Sequence, residues 1–131
     1  MKKGRLLHSE LSQTIAALGH LDGVVIADAG LPIPAGPKRI DLALTRGIPS
    51  FADTLAVVVS EMQVERVVIA GELRARSPRV LHDIEALLPG TLIEEVSHEH
   101  FKTLTREARA VVRTGECTPY ANILLVAGVV F

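Results

Sequence analysis

The chain has 131 residues, with 14 Lys and Arg against 15 Asp and Glu, for a net charge of −1. That length makes one domain able to bury a real core. Balanced charge and only 3% aromatic residues supply neither a basic face nor stacking platforms, which argues against a nucleic-acid partner. The 48% hydrophobic share and mean hydropathy of +0.33 are high for a small domain, and association into an oligomer is the expected way to cover the excess. Cys117 is the single cysteine, so no intrachain disulfide forms, as suits a reducing cytoplasm. Lys2, Lys3 and Arg5 begin like a signal peptide, but His8, Ser9, Glu10, Ser12 and Gln13 interrupt any apolar core. The longest uncharged run, Cys117 to Phe131, is shorter than the roughly 20 residues of a membrane helix and contains Pro119 and Asn122. These features predict a cytoplasmic domain without a membrane partner.

In chain order, Ser9 is a natural N-cap, Leu11, Ile15 and Leu18 follow at helical spacing, and Gly19 is the expected stop. His20 is then the first residue beyond that helix. Val24 to Ala27 is an uninterrupted apolar run, read as a short buried strand. Asp28 to Pro34 is a loop stiffened by Pro32 and Pro34. Arg39 to Leu44 alternates as a half-buried strand, with Asp41 turned outward.

Ser50 and Asp53 have capping-box spacing at the start of a helix whose inner stripe is Leu55, Val58, Val59 and Met62. Arg66 to Ala70 is a third strand. Ser77 and Pro78 form an N-cap and N1 pair for a helix ended by Pro89-Gly90. Thr91 to Val96 is another strand, and Ser97 caps a short helix carrying His98, His100, Phe101 and Leu104. Ala108 to Arg113 and Asn122 to Phe131 are the last two strands. Strands alternate with helices until that final pair, which lacks a helix between its members. The predicted class is α/β, a three-layer single domain over 1–131 with a mixed central β-sheet flanked by helices.

Few residues suggest chemistry. Asp28 follows a strand, and ligands of open α/β sheets collect outside the carboxyl ends of strands. An Asp there also commonly closes a turn. His20 is a candidate proton donor, imidazole being the side chain suited to proton transfer near neutral pH, or else a helix-capping histidine. His98 and His100 are two apart on a helix, so their side chains diverge. A zinc site would need His82 or Cys117 to join them from distant segments, without any recognised ligand spacing. Alternation along the last strand would put Tyr120 and Asn122 on one face, where a phenol and a carboxamide suit a hydroxyl-rich ligand. No Gly-rich phosphate loop, Walker motif or Ser-His-Asp signature is present, which disfavours nucleotide cofactors and acyl transfer.

Several segments together carry a resemblance: Gly19-His20, Asp28-Ala-Gly-Leu-Pro-Ile-Pro34, Arg39-Ile-Asp-Leu-Ala-Leu44, Val96-Ser-His-Glu99 and Arg113-Thr-Gly-Glu-Cys-Thr-Pro-Tyr-Ala-Asn122. With them the chain resembles the D-ribose pyranase (RbsD) branch of the RbsD/FucU sugar mutarotase family from end to end. The resemblance implies interconversion of the pyranose and furanose rings of D-ribose, without a cofactor or metal. It implies His20 as proton donor, and Asp28, His98, Tyr120, Ala121 and Asn122 as the residues that hold the sugar. It also implies a homodecamer of two stacked five-membered rings, with sites near subunit contacts. Asp28 either orients His20 or holds a sugar hydroxyl. A non-catalytic sugar-binding module assisting ribose uptake or sensing is the competing reading, because it would use the same hydroxyl-binding residues.

Overall fold

The computed structural model describes residues 1–131. Its elements are α1 (Ser9–Ala16), β1 (Gly23–Ala27), β2 (Lys38–Asp41), α2 (Phe51–Val59), β3 (Val64–Ala70), α3 (Glu72–Arg76), α4 (Pro78–Leu87), β4 (Leu92–Val96), α5 (His98–Thr105), β5 (Ala110–Arg113) and β6 (Ile123–Ala127). The six strands form one sheet in the order β2-β5-β1-β6-β3-β4. β6 runs antiparallel to both neighbours, β1 and β3, while the other pairs are parallel. The cause is the connection after β5, which has no crossover helix to carry the chain back for a parallel return. The mixed sheet flanked by helices is therefore as expected.

Residue alternation divides the core. Val24, Ile26, Val67, Ile69, Ile123 and Leu125 face the larger cluster, where α1, α2, α3 and α4 bury Leu11, Phe51, Leu55, Leu73 and Ile84. Val25, Ala27, Val68, Val111, Leu124 and Val126 face a smaller cluster under α5 and its Phe101. The central strands are covered on both sides, which explains their unbroken apolar runs. No helix is long and apolar enough to cross a membrane.

Several boundaries differ from the sequence reading. His8, not Ser9, caps α1: its Nδ1 accepts the Leu11 N–H at 3.2 Å. The helix ends at Ala16, before Gly19, whose N–H instead donates to the Asp22 carboxylate at 2.8 Å. His20 thus sits within a Gly19–Asp22 turn, not at the end of a helix. β2 stops at Asp41, where the carboxylate accepts from the Ala43 N–H and from Arg113. Beyond it, Thr45 and Ile48 pair in a small turn.

Ser77 does not cap α4 with its side chain. Its hydroxyl donates to the Pro119 carbonyl at 2.7 Å, across the fold. The short α3 escaped the sequence reading because five residues give too little periodicity. β6 begins at Ile123, after Tyr120, and Tyr120 has φ +63°. Strand alternation therefore does not govern Tyr120, and its relation to Asn122 is set by a tight turn in which the Asn122 N–H donates to the Tyr120 carbonyl at 2.7 Å.

Candidate active site

The carboxyl ends of the parallel strands gather most of the expected residues. Asp28 follows β1, and Asn122 precedes antiparallel β6, whose start lies beside the end of β1 through the Ile26–Ile123 pair. The two residues therefore meet. The Asp28 N–H donates to Asn122 Oδ1 at 2.8 Å, and Asn122 Nδ2 donates to Asp28 Oδ2 at 2.9 Å. Asp28 Oδ1 also accepts the Gly30 N–H at 2.9 Å, closing a local turn. Asn122 is fully buried, so these bonds meet needs that water cannot. The exposed side of the Asp28 carboxylate still has acceptor capacity for a hydroxyl.

His98 enters the same end from α5, after β4. Its ring meets that of Tyr120 edge-on, with centroids 5.1 Å apart and planes at 85°. The Glu72 carboxylate accepts the His98 N–H with both oxygens at 3.1 Å, and the Ser97 hydroxyl accepts from the His100 N–H. The His98 N–H bond leads the interactions that hold the Glu72 carboxyl below its usual range. His98 Nδ1 is buried and lacks a hydrogen-bond partner. His100 points away, to a groove with Arg66, Glu94 and Leu104 on the smaller-core side of the sheet, so the His98–His100 pair diverges as its spacing predicts. Ala121 is fully buried and contributes backbone only at this turn, its N–H donating to the Thr118 carbonyl.

Glu116, unassigned from the sequence, ties this end together. Its Oε1 accepts from the Thr118 hydroxyl at 2.7 Å and from the Thr118 and Cys117 N–H groups at 3.2 Å. Its Oε2 accepts from Phe51 N–H at the start of α2, and its carbonyl accepts from the Ala29 N–H at 2.8 Å. Burial pushes the Glu116 carboxyl up, but these donors outweigh it and hold the group below the usual range. One residue thus binds the Asp28 loop, the approach to Tyr120 and α2. Preceding it, Gly115 leaves no room for a side chain, since a Cβ would collide with the backbone of Thr45 and Ile48. Arg113 Nε donates to the Ala29 carbonyl at 3.0 Å and steadies the same loop.

His20 lies elsewhere. It precedes β1, whereas Asp28 follows it, and five strand residues separate the ends by about 13 Å at ~3.3 Å per residue. There the His20 Nε2 is 2.7 Å from Glu65 Oε2. Its neighbour Leu21 has φ +69° and donates its N–H to the Ala127 carbonyl at 2.9 Å. His20 also lines an open cavity with Glu61, Gln63 and Phe131. Within one chain, therefore, Asp28 does not orient His20; the carboxylate beside the imidazole belongs to Glu65. The two non-glycine residues with positive φ, Leu21 and Tyr120, mark the two clusters, and such conformations concentrate where function over-determines the backbone.

The chain matches the RbsD / FucU transport protein family over residues 1–130. It is 63% identical to a D-ribose pyranase of Chloroflexus aggregans and 60% identical to one of Paracidovorax citrulli, each over the full length of both chains. Among solved structures it is similar to Bacillus subtilis RbsD complexed with D-ribose, at 52% identity and a TM-score of 0.97 over all of both chains. A fucose mutarotase of Streptococcus pneumoniae in complex with L-fucose is 25% identical, with a TM-score of 0.82 over 96% of this chain and 100% of the other.

Proposed function

The chain belongs to the RbsD/FucU family, and we propose that it is an isomerase with D-ribose pyranase activity, interconverting the pyranose and furanose forms of D-ribose. The observation that carries this reading is full-length identity of 60% and above to D-ribose pyranases, together with a near-superimposable relative holding D-ribose.

Ring interconversion asks for few groups. The anomeric hydroxyl of the pyranose gives its proton to a base while the ring oxygen receives one, and the bond between C1 and that oxygen breaks. A different hydroxyl of the open-chain aldehyde then attacks C1, loses its proton, and the aldehyde oxygen takes one back. The step changes no oxidation state and moves no phosphate. An imidazole can serve both directions near neutrality.

We assign the proton on the ring oxygen to His20, and the holding of the sugar to Asp28, His98, Tyr120, Ala121 and Asn122. Asp28 is pre-oriented by Asn122, so its free acceptor sites meet a hydroxyl without reorganisation. His98 adds an imidazole beside the phenol of Tyr120 and serves as a second acid/base candidate.

Because His20 and the Asp28 cluster occupy opposite ends of the sheet, the sugar held by one chain takes its proton from His20 of a second copy. That requirement favours an oligomer, and the homodecamer of paired five-membered rings implied by the family is the assembly we assign. Exposed Leu7, Leu21, Leu44, Leu92, Val130 and Phe131 supply apolar surface for it. A cytoplasmic location fits a cofactor-free sugar isomerase.

The test is NMR exchange between the pyranose and furanose signals of D-ribose. Exchange faster than the spontaneous rate, and proportional to protein, is the expected result. Ribose binding without accelerated exchange would instead support a sugar-binding module for uptake or sensing.

A further inference from the structure

Glu65 occupies an irregular position in the sheet. Along the β3–β6 ladder Val64 pairs with Ala127 and Arg66 pairs with Val126, so Glu65 is the extra residue of a β-bulge. A bulge re-aims the side chain of the residue it inserts, and bulges recur beside active sites. Here the re-aimed carboxylate reaches His20, with Oε2 at 2.7 Å from Nε2.

Both partners are held at the same sheet end. The Leu21 N–H donates to the Ala127 carbonyl, the Ala127 N–H to the Asp22 carbonyl, and the Gly128 N–H to the Gln63 carbonyl. The end of β6 thereby joins the turn bearing His20 to the bulge bearing Glu65. Gly128 allows this close passage: a Cβ there would lie 3.2 Å from Glu65 Cβ. On the other side of the turn, Arg109 Nε donates to Asp22 Oδ1 at 2.8 Å, so Asp22 is already engaged and leaves Glu65 as the carboxylate on the imidazole.

We infer that Glu65 is the positioning residue of the proton donor: it accepts the Nε2–H of His20, fixes the orientation of the ring, and leaves Nδ1 as the nitrogen that exchanges a proton with the sugar. This rests on the reading of His20 as proton donor. A carboxylate on one imidazole nitrogen selects the tautomer and aims the other nitrogen. The bulge supplies that partner from a strand whose regular register would pair Glu65 into the ladder.

The experiment compares Glu65→Ala, His20→Ala and the double variant in ribose exchange, at saturating and limiting sugar. Light scattering and a thermal melt confirm assembly and folding. Glu65→Ala is expected to lower the saturating exchange rate by about 10–100-fold, taking as a guide the cost of losing the orienting partner of a metal-bound histidine. The ribose KM should stay within about twofold and Glu65→Gln should recover part of the rate, because a carboxamide oxygen can still accept the Nε2–H. In the His20→Ala background the Glu65 substitution should add no loss, since the two act as a unit. Long-range ¹H–¹⁵N spectra of the wild type should show His20 protonated at Nε2 when neutral, with that preference weakened in Glu65→Ala.

A normal rate in Glu65→Ala, or a further loss on top of His20→Ala, would overturn the inference while leaving His20 as donor. A normal rate in His20→Ala would remove the premise itself. A neutral imidazole protonated at Nδ1 in the wild type overturns the assigned roles of the two nitrogens even if the rates behave as expected.

Discussion

Asp28 and Asn122 stand 94 positions apart and hold each other by two hydrogen bonds, backbone N–H to carboxamide oxygen and carboxamide nitrogen to carboxylate. The pair exists because β6 runs antiparallel and starts where β1 ends. It joins the loop after the first strand to the turn before the last.

Asn122→Ala is accordingly expected to damage both binding and folding. The side chain is wholly buried, and its removal strands the Asp28 N–H without its acceptor. An unsatisfied buried group costs about 1–3 kcal/mol, to be read in a denaturant melt. Tyr120→Phe removes one hydroxyl that forms no hydrogen bond within the chain. It should keep wild-type stability and weaken ribose binding by about 0.5–1.5 kcal/mol, measured by calorimetry. Unchanged affinity in Tyr120→Phe would take its phenol out of the sugar site.

Acid should loosen the same end of the sheet through Glu116. Its folded carboxyl lies below the ordinary value, because the donors from Thr118, Phe51 and Cys117 outweigh its burial. A depressed folded pKa contributes stability above the unfolded value of about 4.3, and that contribution is lost as pH falls through the folded value. Glu116→Gln cannot titrate and sets an amide nitrogen against backbone donors. The variant should therefore be less stable at neutral pH and should lose less stability on going to acid. Thermal melts from pH 7 to pH 3 read the difference; parallel curves for the two proteins would contradict it.

Association is the third expectation. Large apolar side chains stand exposed, with Val129, Val130 and Phe131 in one run at the end of the chain, and contact with further copies would cover them. Multi-angle light scattering at micromolar concentration should give a mass well above two chains of 14.1 kDa. A stable monomer would leave His20 with no second copy to serve.

Much of this was legible in the residues, and the exceptions share a cause. Apolar runs located β1 and β3, and Ser50 and Ser97 cap the helices expected of them, accepting the N–H groups of Asp53 and His100. Local pattern could not place β6 between β1 and β3, because strand order is decided by long-range pairing. It could not send the Ser77 hydroxyl to Pro119 either, since a Ser-Pro pair at a helix start looks the same whether or not the side chain caps. Glu65 was invisible for a related reason: a bulge is a mismatch between two strands and leaves no mark on one of them. The separation of His20 from Asp28 was present in the sequence reading, which set a strand between them. Its consequence, that the two residues do not meet within one chain, emerges once the length of that strand and its pairing are known.

Mixed assemblies offer the most direct test of that consequence. His20→Ala alone should remain folded and assembled, since the exposed ring fills no core space, and should lose about 10²–10⁴-fold in exchange rate. Asp28→Ala should lose ribose binding. If each site draws His20 from one copy and Asp28 from another, neither variant alone is active, yet oligomers assembled from both contain some intact sites. A site is intact when the His20 donor is an Asp28→Ala chain and the sugar-holding chain is a His20→Ala chain. Random mixing in equal amounts makes about one site in four intact, because the donor position and the sugar-holding position are each filled by the right chain about half the time. Co-expression with two different affinity tags, followed by sequential purification, isolates the mixed oligomers for the ribose exchange measurement. Recovery toward a quarter of the wild-type rate is expected. Mixed oligomers no more active than the separate variants would mean that no site is shared between copies and that the proton donor lies on the same chain as Asp28, with His98 next in line.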